Sequence, residues 1–204
     1  MLNYPTMEVI NMNFLGSEEN ELKKVMDAIE KQKRDQDEIH KMAQLDDLIH
    51  KLGNMAYKDI VDITSSGKAP LAIFLLCTCL IEQMATYRYG SNGNIKKFVK
   101  KYMPQYDGEV MHEMRNRINH NYSLHEKYGL TIGSRNAHLV EDLNGTIIIN
   151  MENFVEEIGV VFNQFSNDLR QDRGIRNNAL NTLKTYGILN QTTIEFITPR
   201  SDAK

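Results

Sequence analysis

The stretch RNRINHNY, Arg115 to Tyr122, gathers two arginines, three asparagines, a histidine and a tyrosine around one aliphatic residue. On a helix, residues four apart lie about 40° round from one another, so Asn116 and His120 share a face, with His112 one turn earlier. Arg115 flanks that face, close enough for its long side chain to reach something held by His120, and Tyr122 projects from another flank. Histidine can take or give a proton near neutral pH. An asparagine one turn away can hydrogen-bond the imidazole and hold one tautomer. Arginine offers several donors to a phosphate and stabilises the negative charge of its transition state. Together they suit RNA cleavage in which the 2'-hydroxyl attacks the adjacent phosphate, a reaction that needs a base, an acid and charge stabilisation but neither metal nor cofactor. One histidine and one arginine are thin for that task, and two copies meeting across a dimer would supply both roles. The plain alternative is a polar helix face.

These residues have to be positioned by helices. Ser17 before Glu18 and Glu19 reads as a helix start, an N-cap oxygen with acidic residues in the first turn. Leu22, Val25, Met26 and Ile29 mark an apolar face that lapses through KQKRDQDE and resumes at Ile39, Met42, Leu45, Leu48, Ile49 and Leu52. The lapse is either a loop or a solvated stretch of one long helix. TSSGKAP breaks the pattern, with Pro70 as the first residue of the next helix. From Leu71 to about Tyr89 the chain is apolar almost all round, as expected of a helix at the centre of a bundle. Glu82, at its polar transition, calls for a cationic or donor partner if it is buried and for none if it is exposed.

After the turn YGSNGN, a short helix ending before Pro104 aligns Lys96, Lys97, Lys100 and Lys101 in one basic stripe, with Phe98, Val99 and Tyr102 behind it. This dense positive patch could follow a phosphate backbone or only aid solubility. The motif helix should carry Val110, Met111, Met114 and Ile118 inward. LTIG, AHLVED and GTIIIN then suggest a β-hairpin or small β-insert over 130–150. Phe154, Val155, Ile158, Val161, Phe162, Phe165 and Leu169 form one helical face. A shorter helix from about Asn177 to Leu189 and a tail over 190–204 complete the chain.

With 204 residues the sequence fits a single domain. A net charge of −3 and a pI near 6.1 advertise no polyanion partner at the level of the whole chain, so any basic surface must be local. Cys77 and Cys79 would point about 200° apart on a helix, which suits neither a disulfide nor a shared metal, and both read as small buried hydrophobes. The start of the chain lacks the features of a secretory signal. Leu71 to Ile81 is short for a bilayer span, so no membrane is expected and a cytoplasmic location is.

A bare R-x-x-x-x-H is weak evidence in a chain with nine arginines and six histidines. The longer pattern of Arg115, Asn116, His120 and Tyr122 is far more selective. It resembles the R-N-x-x-x-H-x-Y motif of the HEPN domains, and the setting is similar too: an apolar helix ending in CLIEQMATYRYG, the lysine-rich KKFVKKYMP, then the motif helix. The resemblance covers about 65–172, with 17–64 as a further helical part. It implies an all-α bundle of four to six helices, a symmetric homodimer joining two motifs in one cleft, and metal-independent endoribonuclease activity of the kind found in toxins and phage-defence effectors. By that resemblance Arg115, His120 and Asn116 would be catalytic, with Glu82 and His112 secondary. Tyr122 corresponds to the tyrosine that a nucleotidyltransferase antitoxin adenylylates in paired systems. The β-prone insert departs from a minimal HEPN bundle. Some members of the family bind RNA, nucleotides or proteins without catalysis.

Overall fold

In the computed structural model, which describes residues 7–92 and 94–186, the first element is a single helix, α1, Met7–Lys51. Ser17 therefore lies inside a helix instead of capping one. The charged stretch KQKRDQDE is helical as well, since its residues lose little in a helix and the next turn carries i,i+3 and i,i+4 pairs, such as Lys41 Nζ with Glu38 at 3.1 Å and with Asp37 at 2.5 Å. Packing divides the chain into two units between Ala43 and Gln44. In the first unit the side chains from Asn20 to His40 are exposed, including those of the apolar face that the sequence predicts.

The second unit holds the core. Leu45, Leu48 and Leu52 are buried, a π-helical turn occupies Leu52–Tyr57, and α2 follows over Lys58–Ser65. Next come α3 (Pro70–Tyr89), α4 (Ile95–Tyr102), α5 (Gly108–Asn121), β1 (Tyr128–Thr131), β2 (Ile147–Asn150), α6 (Met151–Gln171) and α7 (Arg173–Tyr186). The fold is an all-α bundle with a small β insert. Pro70 opens α3 as its sequence position predicts, after Ala69 in the left-handed region at φ 59°. Helix α3 packs against α2, α4, α5, α6 and α7, which places it at the centre. By length and composition it could cross a bilayer, because it runs on to Tyr89, well past Ile81. Half of its most apolar window is buried inside the bundle, and that core role accounts for the composition. One strip stays outside: Ala72, Leu76 and Cys79 are exposed, so only Cys77 is the buried thiol that was expected of both cysteines.

Helix α6 buries all seven residues of its predicted apolar face. It lies so close to the π-helical turn that a Cβ on Gly159 would collide with the Tyr57 hydroxyl, which donates to the Val155 carbonyl at 3.3 Å. Gly159→Ala is therefore expected to destabilise the fold by about 1–3 kcal/mol through overpacking, read as a lowered midpoint in thermal unfolding. Helix α7 begins earlier than the sequence reading placed it, because Asp172 Oδ1 accepts from the Gly174 and Ile175 amides at 2.7 and 3.1 Å and caps it there. Its predicted end at Leu189 and the tail over 190–204 lie outside the described residues.

The insert differs from the expected hairpin. Strands β1 and β2 pair in parallel, with Tyr128 opposite Ile147 and Thr131 opposite Asn150. The hairpin survives around the turn at Asp142, whose carbonyl accepts from Gly145 N at 3.1 Å: Glu141 and Ile147 form an antiparallel bridge, Ile148 N donates to the Val140 carbonyl at 2.9 Å, and Leu139 N donates to the Ile148 carbonyl at 2.7 Å. The middle run, AHLVED, follows directly from a 3-10 turn at Arg135–Ala137 and holds a left-handed Leu139 (φ 58°) where the sequence predicts a strand. That run takes one edge of β2, through Leu139 and Val140 with Ile148, and β1 pairs along the other edge.

Candidate functional site

Helix α5 carries the motif, and three side chains fix its rotation: Met111, Met114 and Ile118 are buried against the bundle. Its start is set by Asp107. One carboxylate oxygen accepts from the Glu109 and Val110 amides at 3.0 and 3.3 Å, and the other accepts from Lys127 Nζ at 2.8 Å. The Lys127 ammonium, followed by the Val110 amide, holds the Asp107 carboxyl below its ordinary range. A depressed pKa means stability that is present above the unfolded-state value near 3.9 and lost as pH falls through the folded value. Asp107→Ala is expected to cost about 1 kcal/mol at neutral pH, and the gap to wild type should close below about pH 4 in urea titrations run across pH.

With the inward face fixed, the flank toward α3 forms one connected chain of polar groups. Arg115 Nη2 donates to Glu82 Oε2 at 2.7 Å, Arg115 Nη1 donates to Asn116 Oδ1 at 3.0 Å, and Asn116 Nδ2 lies 3.3 Å from His112 Nε2. Of the two alternatives its sequence position leaves open, Glu82 thus takes the one with a cationic partner. The side chains of Arg115 and Glu82 keep 26% and 31% of their surface exposed, so the guanidinium is anchored yet reachable by a ligand. Among the described residues, Arg115 Nε and His112 Nδ1 are buried without a hydrogen-bond partner. The sequence expects Asn116 to orient His120 or the RNA; in the structure its carbonyl accepts from the adjacent arginine and its amide nitrogen faces His112.

His120 is exposed near the end of α5, and among the described residues its side chain makes no hydrogen bond or ion pair. Tyr122 ends the helix in the left-handed conformation (φ 51°), its amide bonded to the Ile118 carbonyl at 3.1 Å, and its side chain is 82% exposed. A left-handed tyrosine is uncommon, and here it displays the phenol to solvent. Arg117 is engaged by Glu113 at 2.9 Å, and Asn119 and Asn121 are exposed, as expected of helix surface.

The lysine stripe lies at the other end of α5. Lys96, Lys97 and Lys100 line a groove of about 450 Å³ with Tyr106, Gly108 and Glu109. Lys96 is ion-paired to Glu109, while Lys100 and Lys101 are exposed. Gly108 and His120 are separated by roughly 18 Å of helix rise, so the groove adjoins His112 more nearly than His120.

A further polar cluster escaped the sequence reading. The Tyr106 hydroxyl donates to Glu157 Oε2 at 2.6 Å and lies 3.1 Å from His138 Nε2, while His138 Nδ1 accepts from the Asn150 amide at 3.1 Å. Burial and the Glu157 carboxylate push the Tyr106 phenol far up. This cluster pins the insert to α6. Its members are 19 to 51 residues apart in pairs, with no local spacing that could have revealed them.

Helix α3 and helix α5 therefore present Glu82, Arg115, Asn116 and His112 together, with His120 free beyond them and the exposed Leu76 and Cys79 on the turns of α3 before Glu82. Comparison of the chain with protein-family models, with curated proteins and with solved structures finds no match in any of the three.

Proposed function

We propose that the protein is a HEPN-type endoribonuclease that cleaves RNA by 2'-hydroxyl attack on the adjacent phosphate, at a site completed by a second copy of the chain. The observation that carries this reading is Arg115, anchored by Glu82 yet partly exposed, on the same helix as an unengaged His120. In this reading Arg115 meets the scissile phosphate, and Glu82 is a positioning residue that fixes the guanidinium before substrate arrives. His120 acts as acid or base, with no partner among the described residues to compete for its ring nitrogens. His120 of the second copy takes the complementary role. The exposed Ala72, Leu76 and Cys79 offer an apolar surface beside Glu82 through which two copies could approach. Lys96, Lys97, Lys100 and Lys101 extend the contact along the RNA backbone. Within this proposal the setting is cytoplasmic, the biological class is a toxin or a phage-defence effector, and Tyr122 is open to modification by a nucleotidyltransferase partner.

Incubating purified protein with mixed RNA in EDTA tests the reading. Cleavage exceeding that of an Arg115→Ala/His120→Ala variant supports it, and none above that variant counts against it. A second reading, a binding module without catalysis, is favoured by one observation: the lysine groove lies apart from His120 and needs no histidine to hold a phosphate. It predicts RNA binding unchanged by His120→Ala and no cleavage by wild type.

A further inference from the structure

The first unit carries an exposed apolar stripe. Leu22, Val25, Met26, Ile29 and Ile39 are 63%, 54%, 56%, 47% and 69% exposed on α1. Isolated helices in water are marginal, and most helical stability in proteins comes from packing an apolar face. A stripe left bare along such a helix is a surface lacking its partner.

The spacing identifies the partner's shape. Leu22, Val25, Ile29, Gln32, Gln36, Ile39 and Ala43 alternate three and four residues apart, the a and d positions of a seven-residue repeat. None is charged. The nine b, c and f positions between them, Lys23, Lys24, Asp27, Glu30, Lys31, Arg34, Asp37, Glu38 and Lys41, are all charged. That division is stricter than a solvated helix requires, and the seam runs for about 33 Å. Met26, at e, widens its apolar edge.

Polar and charged positions decide both occupant and direction. Gln32 and Gln36 are adjacent layers in the middle of the seam. With a second copy parallel and in register each meets itself, amide to amide, whereas a shift by one heptad would set Gln36 against Ile29 or Ala43 and leave its amide short of partners. Buried polar layers of this kind specify register. An antiparallel copy could also bring Gln32 to Gln36, but it would set Asp35 against Asp35 and Lys33 against Lys33 at its centre. In the parallel arrangement the g and e positions match Ala28 with Lys33 and Asp35 with His40, and no like charges meet.

We propose that this part of α1, from Leu22 to Ala43, is a self-association element that forms a parallel, in-register, two-stranded coiled coil with the same helix of a second copy. It does not rest on the ribonuclease reading, and its test reads cross-linking only.

The experiment uses the full-length chain in a Cys79→Ser background, so that no native exposed thiol competes, and introduces Gln36→Cys at an a position or Asp27→Cys at an f position. Under mild oxidation Gln36→Cys should form an interchain disulfide about tenfold or more faster than Asp27→Cys, as thiols held together at high effective concentration do. Adding Ile29→Asp should remove that advantage, with circular dichroism confirming that the bundle stays folded. Equal rates for the two cysteine positions would overturn the proposal. So would cross-linking seen only when Gln32→Cys chains are mixed with Gln36→Cys chains, which is the antiparallel signature.

Discussion

Arg115→Ala and His120→Ala are each expected to lower the rate of RNA cleavage by about two to four orders of magnitude, the scale of losing a transition-state charge partner or a general acid or base. Single-turnover rates on a labelled RNA measure the loss. His112→Ala should cost less, since His112 reaches the site only through Asn116. Truncating Arg115 also leaves Glu82 partly buried without its cation, a penalty on folding that is separate from catalysis. The double variant Arg115→Ala/Glu82→Gln separates the two effects: it should regain stability in thermal unfolding and regain no cleavage. Arg115→Lys keeps the charge but not the fork that bridges Glu82 and Asn116 through two different nitrogens, so it should fall well below wild type.

The largest effect on folding is expected at Phe154. Its ring is fully buried, stacks on Phe74 of α3 with centroids 5.8 Å apart, and meets Tyr106 edge-on at 5.3 Å. It thereby joins the central helix, α6 and the segment leading into the motif helix. Phe154→Ala removes the shared contact and leaves a cavity that the surrounding helices can only partly fill, at a cost of about 3–5 kcal/mol. For a chain of this size that corresponds to a fall of roughly 6–20 °C in the thermal midpoint. Because Tyr106 also anchors the insert through Glu157 and His138, the variant should expose the insert to limited proteolysis before the rest of the bundle. A midpoint within about 2 °C of wild type would contradict the packing account.

The helices were legible because their signals are local. The seven apolar residues of α6 recur at helical spacing and all of them are buried, and Pro70 marks the start of α3 by its own geometry. Ser17 misled because a good N-cap residue is also tolerated inside a helix, and the apolar residues before it extend the same pattern. The hairpin was half right: turn chemistry at Asp142 to Gly145 is local, whereas the parallel pairing of β1 with β2 depends on which edge the intervening run leaves open. At the site, spacing puts Arg115 on the flank of the Asn116 face and leaves Glu82 open between a partnered and an exposed carboxylate, and the structure gives Glu82 the Arg115 guanidinium. Spacing could not say which histidine Asn116 would face, because His112 and His120 are each four residues away, one on either side. The choice is made by Arg115, which claims the Asn116 carbonyl and turns the amide nitrogen toward His112. The Tyr106, His138 and Glu157 cluster had no local signal at all.

In the proposed function the Arg115 and His120 group cleaves RNA by attack of the RNA's own 2'-hydroxyl, and the ends of the products report on that directly. RNA digested by the wild-type protein should carry 2',3'-cyclic phosphate and 5'-hydroxyl termini, and these should be absent after incubation with Arg115→Ala/His120→Ala. Products with 3'-hydroxyl and 5'-phosphate ends, or cyclic ends formed equally by that variant, would contradict it.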